Sequence, residues 1–133
     1  MTEPRNLMQL PTDLPMLRLD GRLMQRALTN IIDNALHAMP DDGALSISVV
    51  REPAQLQLVV VDTGVGLEAD VLARIFEPYF STKVTGTGLG MAIAKRDVEL
   101  NAGTIAVTSE RGQGTTVTIT LPIAAVTDEM EQV

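Results

Sequence analysis

The sequence predicts an α+β fold with helices covering one face of a sheet. Three observations carry this expectation. Apolar residues recur at three- and four-residue spacing through one long segment, the pattern of an amphipathic helix. Two pairs of β-branched runs are each joined by a short turn, the pattern of two hairpins. Helical segments separate the hairpins, so the order is α, β, β, α, loop, α, β, β, which places helices on one side of one sheet.

The elements follow in order. Residues 1–19 are a lead-in interrupted by Pro4, Pro11 and Pro15, irregular but with room for a first strand. Asp20 reads as an N-cap. Behind it Leu23, Met24, Ala27, Leu28, Ile31, Ile32, Ala35, Leu36 and Met39 form the apolar stripe, stopped by Pro40 and the Asp41-Asp42-Gly43 turn. Ala44–Arg51 and Gln55–Val61 make the first hairpin. A glycine loop (Asp62–Leu67) leads to a short helix around Glu68–Phe76, and residues 77–87 form a loop. A second long helix is expected from Gly88 to Asn101, with Gly103 as its stop. Thr104–Ser109 and Thr115–Leu121 make the second hairpin, and Pro122 ends it. The expected organisation is one domain over residues 20–122, preceded by the lead-in and followed by an acidic tail, 123–133, expected to be mobile.

Composition narrows the function. At 133 residues and 45% hydrophobic, the chain can bury a core without disulfides or metal. It holds no Cys, which removes thiolate chemistry and fits a reducing compartment. A net charge of -7 argues against tracking a phosphate backbone, and two Phe, one Tyr and no Trp argue against base-stacking platforms. No nucleic acid is therefore expected as partner. No apolar run reaches the roughly 18 residues that span a bilayer, and the N-terminus lacks a secretory h-region. The expected location is cytoplasmic, with no membrane segment in this chain. An acidic domain that takes a nucleotide must rely on backbone N–H groups and a metal more than on Lys and Arg.

Asn30, Asp33, Asn34 and His37 share one face of the first helix by their i, i+3, i+4, i+7 spacing. Most such stripes are solvated faces. This one holds no Lys or Glu, and its two Asn cost helix propensity without evident return. An Asn oxygen suits a hard cation such as Mg²⁺, and His37 one turn on can donate to a phosphate.

Two glycine loops follow. Asp62-Thr63-Gly64-Val65-Gly66 comes directly after an apolar strand; the Asp can accept from an exocyclic amine while the glycines admit a flat ligand. The alternative is a plain glycine turn. Gly86-Thr87-Gly88-Leu89-Gly90 opens a helix, where free N–H groups and the helix dipole favour an anion. It is neither a Rossmann fingerprint nor a Walker A loop, since the third glycine and the Gly-Lys-Ser/Thr run are missing. Lys83, just before, can reach a terminal phosphate or be an ordinary surface Lys. Alternation puts Thr115, after Gly112-Gln113-Gly114, on the side of Val117, Ile119 and Leu121; an inward hydroxyl there needs a partner.

These segments resemble the boxes of histidine kinase catalytic domains, in the superfamily (GHKL, Bergerat fold) that includes gyrase, a heat-shock chaperone and the mismatch-repair ATPases. Asn30–His37 resembles the N box. Asp62–Gly66 resembles the first glycine box and Ile75–Phe80 the F box. Gly86–Gly90 and Gly112–Thr115 resemble the second and third glycine boxes. The likeness runs in the family's order from Asp20 to Pro122, and Phe80-Ser81-Thr82-Lys83 is most similar to the nitrogen-regulation group of sensor kinases.

The resemblance implies a two-layer α/β sandwich with a mixed, mostly antiparallel sheet and ATP between helices and sheet. It implies Asn30 and Asn34 as the catalytic pair, with Asn34 on Mg²⁺. Asp62 would read the adenine amine, supported by Thr115, with Gly64 and Gly66 lining the base pocket. A lid over residues 78–87 would be anchored by Phe76 and Phe80. Thr87, Gly88, Leu89 and Gly90 would cradle phosphates, with Lys83 and His37 beside them. The implied reaction carries the ATP γ-phosphoryl to a His on a separate dimerisation domain, and a response regulator would take it indirectly. The full-length kinase would then be free to be membrane-anchored.

Two positions depart from the pattern. Hydrolytic members carry a Glu base where this chain has Asn30, which counts against a clamp-type ATPase and an anti-sigma-type serine kinase. A frequent Lys is replaced by His37, the chain's single His. His37 has no phosphoacceptor context, so the chain is expected to be a fragment that binds nucleotide without autophosphorylating.

Overall fold

The structure, a computed structural model, describes residues 5–9, 19–80 and 88–123. Among the described residues, five strands and three helices follow in the order β1 (Arg5–Gln9), α1 (Gly21–His37), β2 (Ala44–Arg51), β3 (Gln55–Asp62), α2 (Ala69–Leu72), α3 (Gly90–Leu100), β4 (Thr104–Glu110) and β5 (Gly114–Pro122). The strands form one sheet in the order β1-β2-β3-β5-β4. β1 runs parallel to β2, and every other pairing is antiparallel. The sheet is therefore mixed and mostly antiparallel, as expected.

α1 starts where Asp20 caps it, its Oδ1 accepting from Arg22 N and Leu23 N at 3.1 and 3.2 Å. The helix ends at His37, short of the periodic Met39. Pro40 disfavours helical backbone at the residue before it, yet Met39 stays buried. The lead-in is not wholly irregular: Arg5–Gln9 pairs with Ala44–Ser48. That pairing depends on a partner almost forty residues away and leaves no local signal.

The short helix expected to reach Phe76 ends at Leu72. Beyond it, Arg74 N, Ile75 N and Glu77 N donate to carbonyls three residues back, so the chain tightens into successive turns. The second long helix begins at Gly90 rather than Gly88, because Gly88 has φ +78°, outside the helical region.

α1 and α3 lie side by side on the sheet. Ala27, Ile31 and Val98 meet Val60 and Ile119 in the core, all essentially inaccessible to solvent. On β5, Thr115, Val117, Ile119 and Leu121 are buried, while Thr116, Thr118 and Thr120 on the other face are only partly covered. The expected alternation thus holds. Asp97 is also fully buried between the two helices, which its sequence context did not announce. Lys83, Thr87, most of the expected lid and residues 124–133 lie outside the described residues.

Candidate functional site

A cavity of about 370 Å³ opens between the C-terminal half of α1, the loop after β3 and the start of α3. Its size is that of small-molecule sites. One end is formed by a row across three strands: Asp62 on β3 faces Thr115 on β5, which faces Ser109 on β4. Asp62 and Thr115 are both buried and line the cavity. Gly64 N–H donates to Asp62 Oδ1 at 2.8 Å. Burial pushes the Asp62 carboxyl above the usual range, and the N–H groups of Gly64 and Thr115 oppose that shift in part.

Ser109 was not singled out by sequence, yet it organises this end. Its Oγ accepts from Leu67 N at 2.8 Å, donates to Gly114 O at 2.9 Å and contacts Thr115 Oγ1 at 2.8 Å. The signal was present in the alternation of β4, which turns Ile105, Val107 and Ser109 inward.

At the other end, Asn30, Asp33, Asn34 and His37 project from α1, opposite Gly88 and Gly90. The polar stripe is therefore a cavity wall. A side chain at Gly90 would begin 3.6 Å from Asn30 Oδ1, so helix and loop approach closely. The N-cap residue of α3, Leu89, makes no side-chain cap, and the helix N-terminus faces the same space, an arrangement suited to an anion. His37 Nδ1 lies 2.7 Å from Asp33 O. A carbonyl only accepts, so Nδ1 carries the proton and Nε2 is the nitrogen left for other contacts.

Other expected residues sit differently. Phe80 lines the cavity, with the Arg74 guanidinium 4.3 Å from its ring centre. Gly66 lines it and Gly64 does not: a Cβ at Gly64 would meet Ala38 O at 2.5 Å, so that glycine packs the loop onto the end of α1. Phe76 packs against the core under Lys95 rather than on the cavity, and Leu89 is also absent from the lining. The apolar wall between the polar ends is Val65, Leu67, Val71, Ile75 and Met91. Val65 and Ile75 fall within quoted motifs, but none of the five was singled out as a lining residue, because they come from separate segments that meet only in the fold.

Among the described residues, no three His, Asp or Glu gather as a metal site. The donor set fits a divalent ion that arrives with phosphates and keeps water, held by a neutral Asn oxygen.

A helical layer over a mixed sheet, with a buried carboxylate and a helix N-terminus at opposite ends of one cavity, defines a nucleotide-type catalytic domain. The chain belongs to the Histidine kinase-, DNA gyrase B-, and HSP90-like ATPase family, which matches residues 19–125. It is 40% identical over 110 residues to Sensor histidine kinase ZraS of Escherichia coli (strain K12), covering 83% of this chain and 24% of that protein. Mycobacterial sensor histidine kinase MprB superposes with a TM-score of 0.78 at 27% identity, over 89% of this chain and 80% of that one. Full-length ShkA in complex with AMPPNP superposes at 0.77 with 28% identity, over 89% of this chain and 25% of that one. The chain spans about a quarter of the length of the first curated relative it matches. It is an ATPase catalytic domain of the histidine kinase type, and the expected fold class and family are borne out. Among the described residues, no helix is long and apolar enough to cross a membrane.

Proposed function

We propose that this domain binds Mg-ATP in the α1–α3 cavity and donates the γ-phosphoryl to a His on a separate dimerisation domain. The observation that carries the reading is the polarity of the cavity. A buried acceptor, Asp62, stands at one end, and Asn30, Asn34 and the α3 N-terminus stand at the other. Asp62 accepts the exocyclic amine of adenine. Val65, Leu67 and Met91 cover the base and exclude water. The α3 N-terminus at Gly88 and Gly90 takes phosphate oxygens on backbone N–H, and the resemblance adds Thr87 and Lys83. Asn34 holds Mg²⁺, which neutralises phosphate charge when bound, and Asn30 orients the ligand beside it. Phosphoryl transfer asks for this positioning and charge compensation more than for covalent help from the protein.

Asn30 offers no base to activate water, so the γ-phosphoryl waits for an imidazole from elsewhere. In this reading residues 20–122 are the catalytic unit, the full-length protein is a cytoplasmic-facing sensor kinase, and a response regulator receives the phosphoryl afterwards. The Phe80-Ser81-Thr82-Lys83 segment supports placing it near the nitrogen-regulation group.

Calorimetry with Mg-ADP, Mg-ATP and Mg-GTP tests binding. Adenine nucleotides bind the chain and Asp62→Ala abolishes it; equal binding of GTP overturns the base assignment. Incubation with γ-labelled ATP, with and without a phosphoacceptor domain, tests transfer. Label is expected only on the added domain, and label on His37 would sink the proposal.

A further inference from the structure

We infer that Ser109 is a positioning residue for base selection: it locks the Thr115 hydroxyl as an acceptor, so the base pole of the cavity takes a 6-amino group in preference to a 6-oxo group. This rests on the assignment of Asp62 to the adenine amine.

A serine hydroxyl has one hydrogen and two lone pairs. Gly114 O can only accept, so the Ser109 hydrogen goes there, across 2.9 Å. Leu67 N–H can only donate, so it takes one Ser109 lone pair at 2.8 Å. Ser109 has no hydrogen left for Thr115. The 2.8 Å contact between the two hydroxyls must therefore run from Thr115 Oγ1–H to Ser109 Oγ. Thr115 has then spent its single hydrogen, and it shows the cavity lone pairs alone.

Asp62, directly across the β3–β5 ladder from Thr115, is also an acceptor when ionised. Two adjacent buried side chains thus present the same polarity. An amino group donates to this pair, directly or through a water that donates to both. A 6-oxo base presents a carbonyl there instead, and acceptor then faces acceptor. A Thr hydroxyl free to rotate would be tolerant, since it can donate as readily as accept. Ser109 removes that freedom from a residue that touches the cavity, while itself lying behind it on the edge strand.

The same serine pins two backbone groups, Leu67 N and Gly114 O. Loss of its hydroxyl therefore has a structural cost as well, and the test must separate the two roles.

The test compares Mg-ATP with Mg-ITP, which differ at the edge concerned. In the wild-type chain ATP binds at least tenfold more tightly by calorimetry. In Ser109→Ala that ratio falls severalfold, because ITP gains relative to ATP, whereas Ser109→Thr keeps the hydroxyl and the wild-type ratio. Thr115→Val, which does not depend on Ser109→Ala folding, removes the hydroxyl and makes the ratio insensitive to a further change at Ser109. Uniform weakening of both nucleotides in Ser109→Ala, with the ratio intact, would show a purely structural serine and overturn the inference. Wild-type binding of ATP and ITP alike would instead overturn the Asp62 assignment beneath it.

Discussion

Arg26 on α1 grips Asp97 on α3 with two parallel bonds, Nε to Oδ2 at 2.9 Å and Nη2 to Oδ1 at 2.7 Å. The pair is asymmetric: the Asp97 side chain is completely buried, while 55% of the Arg26 side chain is exposed. Asn101 extends the link, donating to Asp97 O and accepting from Asp20 N, so the start of α1 is tied to the end of α3. The two helices run antiparallel, so Asn30, midway along α1, faces Gly90 at the start of α3.

The asymmetry predicts unequal mutants. Removing Arg26 strands a carboxylate in the helix seam, and a buried unpaired charge of the Asp97 kind costs roughly 3–5 kcal/mol. Removing Asp97 leaves a guanidinium that water already reaches. Arg26→Ala is therefore expected to lower the urea midpoint far more than Asp97→Leu, and the double variant Arg26→Met/Asp97→Leu should recover most of the loss. A larger drop for Asp97→Leu than for Arg26→Ala would contradict this account.

Asp62 predicts a conflict between stability and binding. Its folded-state carboxyl titrates above the ordinary value because of burial. The folded state therefore holds the proton more strongly than the unfolded one. Stability falls as pH rises through the window from the unfolded value up to the raised one, and the buried carboxylate remains a cost at neutral pH. Asp62→Asn should flatten that dependence and hold or raise the neutral-pH melting temperature. Adenine nucleotide affinity should drop by about 10- to 100-fold, the worth of a hydrogen bond to a charged group. Unfolding scans from pH 4 to 8 and calorimetry read the two effects separately.

Two glycines with similar backbone angles should respond differently to alanine. Gly66 has φ +71° and Gly112 φ +82°. A Cβ at Gly66 would collide with the Glu110 carbonyl, whereas at Gly112 nothing lies within 4 Å. Gly112→Ala should cost only the left-handed penalty of about 1–2 kcal/mol. Gly66→Ala adds a backbone displacement beneath the cavity floor, so both stability and nucleotide affinity should fall. Comparable urea midpoints for the two variants would disprove the close-approach argument.

Much of this was legible in the sequence, for reasons that differ by residue. The α1 face and both hairpins carry local periodicity, so Met24, Ile31 and Val117 could be placed from spacing alone. β1 was legible only as room for a strand somewhere in residues 1–19, since its parallel partner, β2, lies almost forty residues on. Asp97 looks like any polar residue on a helix until Arg26 is brought beside it from seventy-one positions away. Phe76 and Phe80 were both expected to anchor the lid; after the i, i+3 turns beyond Leu72, Phe76 packs against the core and Phe80 lines the cavity. Ser109 sat in an inward strand position without a motif around it. The chemistry of the site was visible where one residue acts, and hidden where a hydrogen bond between two strands decides what a hydroxyl offers.

His37 brings the last prediction. With Nδ1–H committed to Asp33 O at 2.7 Å, the neutral ring offers a phosphate only the Nε2 lone pair, which repels it. A donor appears there only with a second proton. His37→Lys replaces this conditional contact by an ammonium that donates in every protonated rotamer. Mg-ATP affinity should therefore rise severalfold in His37→Lys, with less change for Mg-AMP, which lacks the distal phosphates. His37→Ala should weaken Mg-ATP only slightly relative to wild type, since the neutral ring presents no donor at Nε2. If His37→Ala instead lost tenfold or more while His37→Lys gained nothing, the ring would be acting through its shape and its Asp33 bond, not through phosphate charge.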